Sequence, residues 1–123
     1  MIVLDTNVLI EVLKGNEETI KRVHAFNEDL VISSISVMEL YYGAINKAET
    51  IKLEKFVSLF KVEHLNENVS KKSTMLIKTY AKSHNLDIPD SLIAATVLVR
   101  DCKIFTYNLK DFSYINGLEL VKF

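Results

Sequence analysis

Tryptophan is absent, cysteine and proline occur once each, and glycine only three times among 123 residues. The lone Cys102 excludes an internal disulfide and any zinc site built on several cysteines, and it fits a reducing compartment. Scarce proline and glycine leave little material for long irregular loops, so a globular chain with short connections is expected. His24, His64 and His84 are too scattered to suggest a metal cluster. No apolar run approaches the length needed to cross a bilayer, and no basic region precedes the first apolar residues. No membrane association is expected, and the location expected is cytoplasmic. Excess positive charge is also missing: fifteen basic residues face sixteen acidic ones, a net charge of −1. Contact with a polyanion must therefore be local or metal-assisted.

What is present is 49% hydrophobic and patterned in alternating strand and helix signals. One domain over residues 1–123 is expected, large enough to bury about two thirds of the unfolded surface. Residues 2–4 (IVL) form a short branched strand, 6–13 a helix, and a second helix carries Ile20, Val23 and Phe26. "DLVIS" is a strand. The spacing predicts a helix over 35–48 with apolar residues on two faces and another over 49–60 bearing Leu53, Phe56, Val57 and Phe60. "KVEHL" suggests an edge strand, residues 66–84 an amphipathic helix, and "SLIAATVLV" a helix apolar all round. "KIFTY" and "LELVKF" supply the last strands. The fold class is α/β, a central, mainly parallel sheet flanked by helices on both faces.

Acidic residues recur where strands hand over to helices. Asp5 ends the first strand, Glu39 lies in "SSISVMELYYGA", and Asp90 follows the only proline in "IPDSLIAA". Each has a structural explanation alone: Asp5 as a helix cap, Ser36 and Glu39 as a capping box, Asp90 as a favourable charge in a first helical turn. Together they converge, because open α/β sheets place their sites beyond the carboxyl ends of the strands. Two unit charges ~4 Å apart repel by about 4 kcal/mol at an effective dielectric near 20, so such a cluster must take up protons or hold a cation. Oxygen donors select hard ions such as Mg²⁺ or Mn²⁺. "FTYNLKDF" adds Thr106, Asn108 and Asp111. Asn108 offers a neutral oxygen and Asp111 a charged one, although turn closure and capping explain both residues equally well.

"MIVLDTNVLI", "SSISVMELYYGA", "IPDSLIAAT" and "FTYNLKDF" occur in the order and at roughly the intervals of the PIN-domain ribonucleases, and the sequence resembles specifically the VapC-like toxins of toxin–antitoxin pairs. The resemblance spans nearly the whole chain. It implies an Mg²⁺- or Mn²⁺-dependent endoribonuclease with Asp5, Glu39 and Asp90 as carboxylates and Thr6 and Thr106 as supporting hydroxyls. It further implies an RNA substrate, a homodimer, and a VapB-like antitoxin whose tail enters the cleft. The family's fourth acidic position falls on Asn108, with Asp111 three residues on, so the expected metal ligands are Asp5, Asp90, Glu39 and Asn108. Lys14, Arg100 and Lys110 are candidate phosphate contacts, and Gly43 could allow close approach of substrate backbone.

Other classes fit less well. A haloacid-dehalogenase-like phosphatase needs a second Asp where this chain has Asn7, and a receiver domain needs paired acids that are missing. The non-enzymatic alternative is an inactive PIN-like module that binds protein or RNA, for which Asn108 is the only hint.

Overall fold

The computed structural model describes residues 1–122 and builds its sheet around the first few of them. Ile2–Leu4 forms β1, and Asp5 ends it by capping α1 (Thr6–Leu13). Helix α2 (Glu17–Ala25) leads to β2 (Leu30–Ser33), then α3 (Ser34–Tyr42), α4 (Lys47–Val57) and β3 (Lys61–Glu63). Helices α5 (Glu67–His84) and α6 (Ile88–Val99) precede β4 (Lys103–Phe105), α7 (Leu109–Phe112) and β5 (Glu119–Leu120). The strand order is β3-β2-β1-β4-β5 and every pairing is parallel, with Val3 opposite both Val31 and Ile104. "KVEHL" is the expected edge strand. The last strand is shorter than its apolar pattern, and Phe123, the end of "LELVKF", lies outside the described residues.

Alternation along the strands divides the core in two. Ile2, Leu4, Ile32 and Phe105 meet Val8, Leu9, Val23, Leu40 and Leu53 from α1 to α4 on one face. Val3, Val31 and Ile104 meet Val69 and Leu76 of α5, and Ile93, Ala94 and Val97 of α6, on the other. Helices thus cover both faces, as the alternation of elements predicts. Helix α6 is buried along most of its length, and full burial of Ile93 or Val97 stabilises the fold by roughly 1.5–3 kcal/mol each. Among the described residues no helix is long and apolar enough to cross a membrane.

The region predicted as helices 35–48 and 49–60 is cut differently. Gly43 closes α3, and the Asn46 side chain accepts the Glu49 backbone N–H at 2.9 Å to start α4. Asn competes for backbone groups and favours a cap over a helix interior, which outweighs the apolar period running through it. Phe60 falls beyond α4 but meets Phe56 edge to face with centroids 5.3 Å apart. The break leaves Met38, Tyr42 and Ile45 exposed at 54%, 94% and 82%, so one of the two expected buried faces is not covered by this chain.

Candidate active site

The carboxyl ends of β1 and β4 lie side by side, and the Asp5 backbone N–H donates to the Phe105 carbonyl at 2.9 Å. Asp5 is 5% exposed with both oxygens engaged: Oδ1 accepts the Thr6 backbone N–H and Oδ2 the Thr106 hydroxyl, each at 2.8 Å. The capping role of Asp5 and its convergence with other acids are both real. Thr106 Oγ1 is a hub that also accepts the Asn108 backbone N–H at 2.9 Å and the Asn7 side-chain amide at 3.5 Å.

Glu39 reaches the same region from the sixth position of α3, later than a helix start. Its Oε1 accepts the Thr6 hydroxyl at 2.8 Å. The Ser36 hydroxyl, 2.8 Å from Thr6 Oγ1, then serves as the donor, since Thr6 has a single O–H. The capping box expected from Ser36 and Glu39 does not form. Ser33 caps α3 by accepting the Ile35 backbone N–H at 3.1 Å, and Ser36 is buried inside the helix.

Asp90 lies in the first turn of α6, capped by Asp87, whose Oδ1 accepts the Asp90 backbone N–H at 2.9 Å. Asp87 was not singled out from sequence, although "DIPD" carries the signal of a cap three residues before an acid. Burial, then the charges of Asp87, Asp5, Asp111 and Glu39, push Asp90 from 3.8 up to about 7. Burial also raises Asp5, opposed by its hydrogen bonds from Thr106 and Thr6 and reinforced by the charges of Glu39 and Asp111.

Asn108 and Asp111 hold a specific relation. The Asn108 side-chain amide donates to Asp111 Oδ2 at 2.6 Å, and no side-chain bond from Asn108 caps the unforeseen α7. Asp111 contributes to the fields at both Asp5 and Asp90.

Among the described residues no lysine or arginine pairs with Asp5, Glu39, Asp90 or Asp111. Lys14 pairs with Glu11 at 3.8 Å and Arg100 with Glu63 at 3.4 Å, while Lys110 has no partner among the described ion pairs. At Gly43 an added Cβ would make only ordinary contact, 3.5 Å from the Glu39 carbonyl, so the fold itself does not demand glycine there. The acidic group is an all-oxygen donor set of the kind hard divalent ions take. No three of the described acidic, histidine or cysteine side chains close on a single point as a complete ligand shell. That arrangement fits an ion that takes one or two carboxylates and keeps several waters, as Mg²⁺ does.

A parallel five-stranded sheet with carboxylates gathered at the end of its central strand defines the class, and the chain belongs to the PIN-domain family, whose model matches residues 2–118. Within that family its sequence is similar to Ribonuclease VapC10 of Mycobacterium tuberculosis (strain CDC 1551 / Oshkosh), 30% identical over 122 residues, covering 97% of this chain and 91% of the relative. Ribonuclease VapC3 of Methanocaldococcus jannaschii is 31% identical over 94 residues, covering 76% of this chain and 94% of that protein. The fold is similar to that in the crystal structure of VapBC2 from Rickettsia felis bound to a DNA fragment from their promoter, with a TM-score of 0.84 at 26% identity over 100% of this chain and 99% of that one.

Proposed function

We propose that the chain is a metal-dependent endoribonuclease and the toxin of a VapBC-type pair, with Asp5, Glu39, Asp90 and Asp111 forming its acidic centre. The observation that carries the reading is the set of four carboxylates sharing one field, with no cation from the described residues to balance them. Bound there, Mg²⁺ or Mn²⁺ would supply Lewis-acid charge neutralisation at a phosphodiester and lower the pKa of water. The chain supplies orientation. Thr106 and the Thr6 N–H fix both oxygens of Asp5, the Thr6 hydroxyl fixes Glu39, and Asn108 fixes Asp111. The proposed partners are RNA as substrate and a VapB-like antitoxin as inhibitor. Cleavage of RNA in Mg²⁺ or Mn²⁺, and its loss in EDTA, tests the reading. RNA binding without cleavage in any metal would support the inactive module instead.

The neutral residue at the family's fourth acidic position does not remove a carboxylate from the cluster, because Asn108 positions Asp111. This favours Asp111 over Asn108 as the fourth metal-directed group. Asp111→Ala is expected to raise the Mg²⁺ concentration for half-maximal cleavage about tenfold or more. Asn108→Asp, which sets two carboxylates against each other where a 2.6 Å hydrogen bond stood, is expected to impair rather than tighten metal use. A metal titration in which Asn108→Asp improves affinity and Asp111→Ala is silent would reverse the assignment.

A homodimer is the proposed assembly, and the exposed side of α3 supports it. Of the aromatic residues expected at an interface, Tyr42 is bare, whereas Tyr41, Phe56 and Phe60 are half-buried against their own core. Tyr42→Glu should convert a dimer to monomer in sedimentation, since a charge in a buried interface lacks its hydration. Monomeric sedimentation of the unaltered chain at micromolar concentration would remove the proposal.

A further inference from the structure

Beside the acidic cluster, the end of α5 and the segment after α7 build a group of aromatic rings with no part in metal binding. The His84 and Tyr114 rings lie nearly parallel, with centroids 4.1 Å apart and 13° between their planes. Tyr80 meets both edge-on, at 5.7 Å and 5.1 Å. The Tyr80 hydroxyl accepts the Asn116 backbone N–H at 3.0 Å, and Ser83 Oγ lies 2.7 Å from His84 Nδ1, which sets the imidazole's orientation. Tyr80 and Tyr114 are half-buried against the core, whereas His84 is exposed. The group adjoins the acids: ionisation of Tyr114 is opposed first by burial and then by the charges of Asp111, Asp90 and Asp87.

A second fixed ring adjoins the cluster through Thr106. Tyr107, 40% exposed, donates its backbone N–H to Asn7 Oδ1 at 3.3 Å, and its hydroxyl lies 2.6 Å from Thr19 Oγ1. The acids thus have oriented aromatic surface next to Asp90 and Asp111, and again next to Thr106.

An exposed imidazole lying flat on a phenol buries little apolar area, so core packing does not account for it. Its chemistry is that of an oriented π-surface beside a site for phosphate. A nucleic-acid strand whose phosphate approaches the acids turns its bases outward, and base stacking on aromatic rings tolerates any sequence because every base has a π-face.

We propose that the His84–Tyr114 stack is a nucleobase platform, seating one base of single-stranded RNA beside the phosphate at the acidic cluster. It rests on the ribonuclease reading and deepens it by assigning part of the substrate contact. The test measures cleavage of a pool of short single-stranded oligoribonucleotides by the full chain and by His84→Ala, Tyr114→Ala and Tyr114→Phe. In parallel, quenching of a fluorescent aminopurine base in the same oligonucleotides is read in the Asp5→Asn protein. His84→Ala and Tyr114→Ala are expected to raise KM about tenfold with kcat within about twofold, and to abolish the quenching, while Tyr114→Phe preserves both. His84 is exposed, so its variant decides the matter even if Tyr114→Ala unfolds. An unchanged KM in His84→Ala overturns the platform, as does a Tyr114→Phe loss equal to that of Tyr114→Ala. Cleavage without any quenching sinks the platform and leaves the ribonuclease reading intact; quenching without cleavage does the reverse.

Discussion

Asp5→Asn is expected to reduce metal-dependent RNA cleavage by more than about a hundredfold while leaving the fold in place. The loss exceeds what an outer hydrogen-bond partner of a metal ligand is worth, because the substitution removes the charge at the centre of the cluster. The fold survives because the amide oxygen still caps α1 by accepting the Thr6 N–H, and the Thr106 hydroxyl can turn to accept from the new amide. Relief of repulsion from Glu39 and Asp111 offsets part of any remaining cost. Circular dichroism and thermal melting should therefore match the unaltered chain within a few degrees. A variant that melts far earlier, yet keeps full activity per folded molecule, would reduce Asp5 to a structural cap.

The second large effect is a dependence of metal-free stability on pH, opposite to that of an ordinary salt-bridged carboxylate. Asp90 rises from 3.8 to about 7 on folding, so between those values the native state binds a proton that the unfolded chain has released. The favourable contribution is complete below pH 3.8 and is lost as pH climbs to about 7. Asp5, raised by burial, acts in the same direction. The printed shift corresponds to about 4 kcal/mol, and screening at a half-exposed carboxyl reduces this to about 2 kcal/mol. Denaturant melts of the metal-free protein should thus weaken from pH 4 to pH 7, and Asp90→Asn should flatten the slope. Excess Mg²⁺ should stabilise most above pH 7, where the carboxylates are ionised and the ion needs no proton displaced. Equal Mg²⁺ stabilisation at pH 5 and pH 8 would show that Asp90 does not sense the ion.

Much of this site was legible in residues whose local and distant roles coincide. Asp5 reads as a cap and is one, and the parallel sheet that the strand–helix alternation implies brings it to Thr106. Helix α6 was legible because an Ala- and Leu-rich run apolar on every side has few alternatives to burial. What failed were inferences in which a short pattern outvoted side-chain chemistry. The apolar period through residues 35–48 concealed the Asn46 cap, and the Ser36–Glu39 spacing matched a box whose two members are both engaged by Thr6 instead. The Asn108–Asp111 bond was out of reach because α7, the single turn that brings the two together, has no periodicity long enough to detect.

The hydrogen bond that orients Asp5 joins residues 101 positions apart, and the strand that carries Asp5 is the first to be made and the last to gain its β4 neighbour. On a ribosome adding ~5–20 residues per second, roughly 5–20 s pass between emergence of the two partners. Throughout that interval Ile2, Val3 and Leu4 lack one flank of their sheet and the carboxylate lacks the hydroxyl that aims it. Nascent chains and fragments ending before Thr106 are consequently inert, and the same long-range closure that delays activity makes folding slow. The hazard of a lethal activity arising in mid-synthesis is thereby excluded by topology, before any inhibitor is required.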